Sequence, residues 1–111
     1  MQSTRIDKLL NFLDNDPKDP FVLYALATEY NSLDDFKKAF EFYLKLVAEH
    51  PDYVGTYYHL GKLYEKTDNK EKAMETYKLG MSAARNKRDM HAFSELQGAY
   101  NSAAGLDYED D

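Results

Sequence analysis

Tyr24 and Tyr58 stand 34 residues apart, and the second is followed at four-residue steps by Lys62 and Lys66. On a helix that spacing stacks Tyr58 and the two lysines along one face, with a cation one turn from an aromatic ring. Such a face suits non-covalent recognition, with an apolar group held by the rings and acidic groups by the lysines. Bond-making chemistry needs other residues. There is no Cys, hence no thiolate nucleophile and no disulfide. His50 precedes Pro51 in a turn while His59 and His91 fall on different helices, so the metalloprotease spacing HExxH is absent. Neither a phosphate loop, a dinucleotide glycine fingerprint nor a nucleophile elbow occurs. The segment DNDPKD opens like a calcium loop at Asp14 and Asp16, but Asp19 and Ala25 occupy the positions that require glycine and glutamate. A solvated, helix-capping turn is expected there. The reading is of a non-enzyme without metal or cofactor.

The elements that must carry these residues repeat. Leu23, Leu26, Ala27, Tyr30, Ala39 and Tyr43 are followed 34 residues later by Tyr57, Leu60, Gly61, Tyr64, Ala73 and Tyr77. Positions 23, 26, 27 and 30 lie at i, i+3, i+4 and i+7, one face of a helix, and so do 57, 60, 61 and 64. The spacing predicts helices at about 3–14, 20–32, 35–49, 53–66, 69–86 and 90–104. On the third, Phe36, Ala39, Phe40, Tyr43 and Leu46 or Val47 should point inward, leaving Phe42 off the stripe, as Phe12 is on the first. Ala39, Ala73, Gly61 and Gly80 are small where two helices must approach closely. Asp19 before Pro20 reads as an N-cap, and Asp68 with Glu71 as a capping box.

The stretches VLYALATEYNSLDDFKKAFEFYLKLVAEHP and TYYHLGKLYEKTDNKEKAMETYKLG resemble the tetratricopeptide repeat, a 34-residue helix-turn-helix unit. The resemblance covers residues 20–87 and departs from the family pattern at Leu46, usually small, and Arg85, usually Pro. It implies an all-α, right-handed antiparallel stack, like the small stand-alone bacterial proteins of two or three such repeats. One domain of 1–111 is expected: a capping helix in 1–19, repeats at 20–53 and 54–87, a second capping helix in 88–104 and an acidic, disordered tail at 105–111. Ile6, Leu9, Leu10 and Leu13 supply the apolar stripe of the first cap, and Phe93, Leu96 and Tyr100 that of the second. Isolated repeats cannot bury their apolar faces, so the caps complete the core. Of ten tyrosines, Tyr30, Tyr43, Tyr57, Tyr64, Tyr77 and Tyr100 are assigned to that core.

In this family the groove formed by the first helices usually holds a ligand. The resemblance places Phe21, Tyr24, Thr28, Asn31 and Ser32 there from the first repeat, and Tyr58, Lys62, Glu65 and Lys66 from the second. The capping helix adds His91, Glu95 and Asn101. The clamp with which some members grip the C-terminal carboxylate of heat-shock chaperones is missing, since Tyr24, Thr28, His59, His91 and Glu95 occupy its positions. The partner expected is therefore an unidentified protein or peptide bound in the groove, with self-association into a homodimer as the alternative. A net charge of −6 argues against nucleic acid. No apolar run approaches the ~20 residues of a membrane span. A cytoplasmic location is expected. Charge is uneven: residues 54–87 carry +3, and the acidic segment 88–111 carries −5.

Overall fold

The computed structural model describes residues 4–106. Six helices run through them: α1 (Thr4–Asn15), α2 (Pro20–Ser32), α3 (Phe36–Glu49), α4 (Gly55–Lys66), α5 (Lys70–Asn86) and α6 (Met90–Ala103). No strand occurs among the described residues, and each helix boundary lies within two residues of the sequence expectation. The expected tail lies almost wholly outside them, at 107–111. The chain divides into two compact units, Met1–Pro51 and Asp52–Asp111.

In the first unit α2 and α3 form a hairpin on which α1 packs. Its core comprises Ile6, Val22, Leu23, Leu26, Ala27, Ala39, Phe42, Tyr43 and Leu46. Phe42 corrects the sequence expectation. The buried stripe of α3 runs Ala39, Phe42, Tyr43, Leu46, at i, i+3, i+4 and i+7, so the helix is rotated slightly from the face assigned to it. Phe36, Phe40 and Val47 are left half-buried. Phe42 gains a parallel stack on Tyr30, with ring centroids 5.8 Å apart. Phe12 is 59% exposed, off the stripe as expected. Asp19 caps α2, its carboxylate accepting from the Phe21 and Val22 amides.

The second unit stacks α4, α5 and α6, with α4 also touching α6. Thr56, Tyr57, Leu60, Leu63, Ala73, Thr76, Tyr77, Ala84, Leu96, Ala99 and Ala103 are buried. Both glycines expected at close approaches are required there. A Cβ on Gly61 would lie 2.2 Å from a ring carbon of Tyr77, and one on Gly80 would lie 2.5 Å from Cβ of Tyr57. The capping box expected at Asp68 does not form. Asn69 is the N-cap of α5 and accepts from the Lys72 amide. Asp68 instead takes a left-handed conformation, φ 64°, in the turn. The same turn recurs at Asp34 with Asp35 and at Arg88 with Asp89, where the left-handed residue is again followed by the N-cap. In each turn the N-cap amide donates to the carbonyl five residues back, at Tyr30, Tyr64 and Ala84.

Candidate functional site

α4 and α6 are each joined to α5 by a short reversing turn, so they run parallel to one another on the same unit. Between them lies a cleft of about 300 Å³. Tyr58 and Lys62 line it from α4, and Ser94, Glu95, Gly98, Ala99 and Ser102 from α6. Helical spacing explains the α4 wall. Tyr57, Leu60, Gly61 and Leu63 turn into the core, which rotates 58 and 62 onto the opposite side. Lys62 Nζ sits 5.5 Å from the centroid of the Tyr58 ring and 4.0 Å from Glu65 Oε2. Glu65 also accepts a hydrogen bond from the Tyr77 hydroxyl.

These contacts form a relay from core to surface. Gly61, lacking a Cβ, admits the Tyr77 ring, Tyr77 holds Glu65, and Glu65 holds Lys62 beside Tyr58. Burial raises the Tyr77 pKa, and its bond to the Glu65 carboxylate raises it further by favouring the protonated phenol. On the other wall His91 Nε2 lies 3.4 Å from Glu95 Oε2 in an exposed pair. Burial lowers the His59 pKa, with Glu95 opposing the shift.

Of the residues selected from sequence, the cleft brings together Tyr58, Lys62 and Glu95. Glu65, Lys66, His91 and Asn101 stand outside its lining, Glu65 being tied to it through its pair with Lys62. Ser94, Gly98, Ala99 and Ser102 complete the lining and lie outside the sequence expectation. Their one sequence signal is a small residue at every fourth position, 94, 98 and 102, which sequence alone gives no reason to place opposite α4.

In the first unit Phe21 is 71% exposed and Tyr24 half-buried. The Thr28 hydroxyl donates within its own helix to the Tyr24 and Ala25 carbonyls. Ser32 does the same toward Glu29. Asn31 is the repeat equivalent of Glu65, and Tyr43 that of Tyr77. Here the relay is not made: Asn31 Oδ1 and the Tyr43 hydroxyl are buried without a hydrogen-bond partner. Burial, reinforced by the Tyr24 phenol, pushes the Tyr43 pKa up to about 12.

Among the described residues no group of His, Asp and Glu converges in a way that could hold a metal ion. Nor is any of their helices long and apolar enough to cross a membrane. No curated protein matches the chain. Its structure is similar to the solution structure of a tetratricopeptide repeat domain protein from Salinibacter ruber, at 46% identity and a TM-score of 0.78. That match covers 86% of this chain and 97% of the other. A crystal structure of a tetratricopeptide repeat domain protein from the same organism is 47% identical, with a TM-score of 0.75, over 80% and 99% of the two chains. A protein from Bordetella parapertussis, 21% identical with a TM-score of 0.79 over 96% and 92%, shares the fold. The tetratricopeptide repeat profile matches residues 30–104, and with these relatives and the two observed repeats the chain belongs to the tetratricopeptide repeat family.

Proposed function

We propose that the chain is a non-enzymatic adaptor that binds a peptide or partner helix in the cleft between α4 and α6. Tetratricopeptide repeats are in general protein–protein interaction modules. The observation that carries the reading is the placement of Lys62 against the Tyr58 ring, at the edge of a cleft floored by Ser94, Gly98 and Ser102. Small side chains let a backbone approach, the ring supplies an apolar anchor, and the lysine selects acidic groups. Phe21, Tyr24, Thr28 and Asn31 are the equivalent surface of α2 in the first unit and belong to the same reading. Lys66 extends the basic edge by one turn. Work in the cytoplasm is part of this proposal.

The test is a charge reversal. A partner recovered with the native chain is expected to be lost with Lys62→Glu combined with Lys66→Glu. Tyr58→Ala should weaken it about tenfold or more, the loss of one aromatic hot spot. Melting temperature should change little, because Lys62 and Lys66 are exposed. Normal binding by both variants, with loss on changing the outer faces of α3 or α5, would exclude the cleft. A second reading, self-association, is favoured by Phe12, exposed beside Arg5, Lys8 and Leu9 on α1. A strict monomer in light scattering would remove it.

A further inference from the structure

The basic edge of the cleft lies at one end of it. Ser102 lines the cleft together with Lys62, and two residues later α6 gives way to a turn. Gly105 takes φ 76° and the Leu106 amide donates to the Asn101 carbonyl, closing the helix beside that end. Glu95, the acidic member of the lining, stands about two turns earlier on α6, toward Tyr58. The cleft is thus polarised, with Lys62 at the end where the chain leaves α6 and Lys66 one helical turn further along α4, outside the lining.

What leaves is residues 107–111, Asp-Tyr-Glu-Asp-Asp, with four carboxylates in five residues. We propose that this acidic stretch is an intrachain occupant of the basic end of the cleft, seated against Lys62 and Lys66 and competing there with any acidic partner segment. The proposal rests on the groove reading above and adds its regulation. Reach is consistent with this: Ser102, four residues before Leu106, lines the cleft together with Lys62, and five further residues extend up to ~17 Å. Charge is complementary, since Lys62 has Glu65 nearby but Glu65 is shared with Tyr77, and the Lys62 side chain remains 47% exposed. Exposed ion pairs are individually weak, yet a short tether holds the acidic groups at an effective concentration of about millimolar. A weak contact is therefore populated, and an incoming acidic segment must displace it. Glu95 repels the stretch from the Tyr58 end, which leaves that end open for a partner's first contact.

The experiment needs no partner. Backbone amide shifts of the full chain are compared with those of a variant carrying Asp107→Asn, Glu109→Gln, Asp110→Asn and Asp111→Asn. The expected differences fall on Tyr58–Lys66 and Gly98–Ser102, vanish in about 1 M salt, where the screening length is about 3 Å, and vanish in Lys62→Glu with Lys66→Glu. Differences confined to residues 101–106 would overturn the proposal. So would differences that grow with protein concentration, which would assign the contact to a second copy. A synthetic peptide Leu-Asp-Tyr-Glu-Asp-Asp added in trans should shift the same amides and bind the neutralised variant at least about twofold more tightly than the full chain, as expected if the native segment covers the site half of the time. Equal binding to the two would show that the segment does not occupy the cleft. A failure here leaves the groove reading standing, because that reading falls on a different result, normal partner binding by both the lysine-reversal and the Tyr58→Ala variants with loss on changing the outer faces of α3 or α5.

Discussion

Two tyrosines at the same place in successive repeats have opposite hydrogen-bonding fates. Tyr77 donates to Glu65, whereas the hydroxyl of Tyr43 is buried without a partner near Asn31. Removing a made bond to a carboxylate destabilises, while removing a buried hydroxyl that satisfies nothing is close to neutral. Tyr77→Phe is expected to cost about 1 kcal/mol, discounted because Glu65 is partly exposed and can turn to water, and to lower the melting temperature by roughly 4 °C. Tyr43→Phe should leave it unchanged or raise it. Equal losses in thermal melts of the two variants would contradict this account. Both phenols have raised pKa values in the folded chain, through burial first. The folded state holds those protons more tightly than the unfolded state, so the contribution is complete below the unfolded pKa of about 10 and declines as pH rises above it, for Tyr43 through about 12. Melting temperature should therefore fall above about pH 10, less steeply in the double Phe variant.

At the scale of the element, the three turns after α2, α4 and α5 share one construction, a left-handed residue followed by an N-cap. Asn69→Ala removes a side-chain acceptor from the first turn of α5 and should cost about 1 kcal/mol. Arg88 holds φ 60° without the local hydrogen-bonding side chain that makes this region tolerable for Asp or Asn. Arg88→Gly should therefore stabilise by about 1 kcal/mol, through relief of left-handed strain. Denaturant midpoints measure both changes, and a larger loss from Asp68→Ala than from Asn69→Ala would restore the cap first expected at Asp68.

Across the whole chain, burial is distributed unevenly. Among the described residues, α1 contributes only Ile6 to the buried set, with Leu9, Leu10 and Leu13 half-covered, while α2 contributes Val22, Leu23, Leu26 and Ala27. The ion pair of Arg5 with Glu29, 2.9 Å long, and that of Lys18 with Glu49, at 3.5 Å, are exposed and add little. Repeat proteins open locally from weakly packed ends. Amide hydrogen exchange should be fastest, among the helices, in α1 and slowest at the buried positions of α2, α4 and α5. Protection of α1 equal to that of α4 would mean that surface pairs hold it more firmly than its burial implies.

The sequence by itself determined the helices, the 34-residue repeat, the Asp19 cap and the need for Gly61 and Gly80, because each follows from local periodicity or from side-chain size at a fixed helical position. It also placed Tyr58 and Lys62 on one face, since residues four apart on a helix are neighbours whatever surrounds them. Tertiary structure decided the rest. The rotation of α3 that buries Phe42 depends on what Tyr30 offers across the hairpin, which a one-dimensional stripe does not record. The shift of the cap from Asp68 to Asn69 depends on a single left-handed residue. The polar floor of the cleft depends on the register of α6 against α4. That register is set by the length of α5 and the geometry of two turns, so Ser94, Gly98 and Ser102 acquire their place opposite Lys62 only when the unit is assembled.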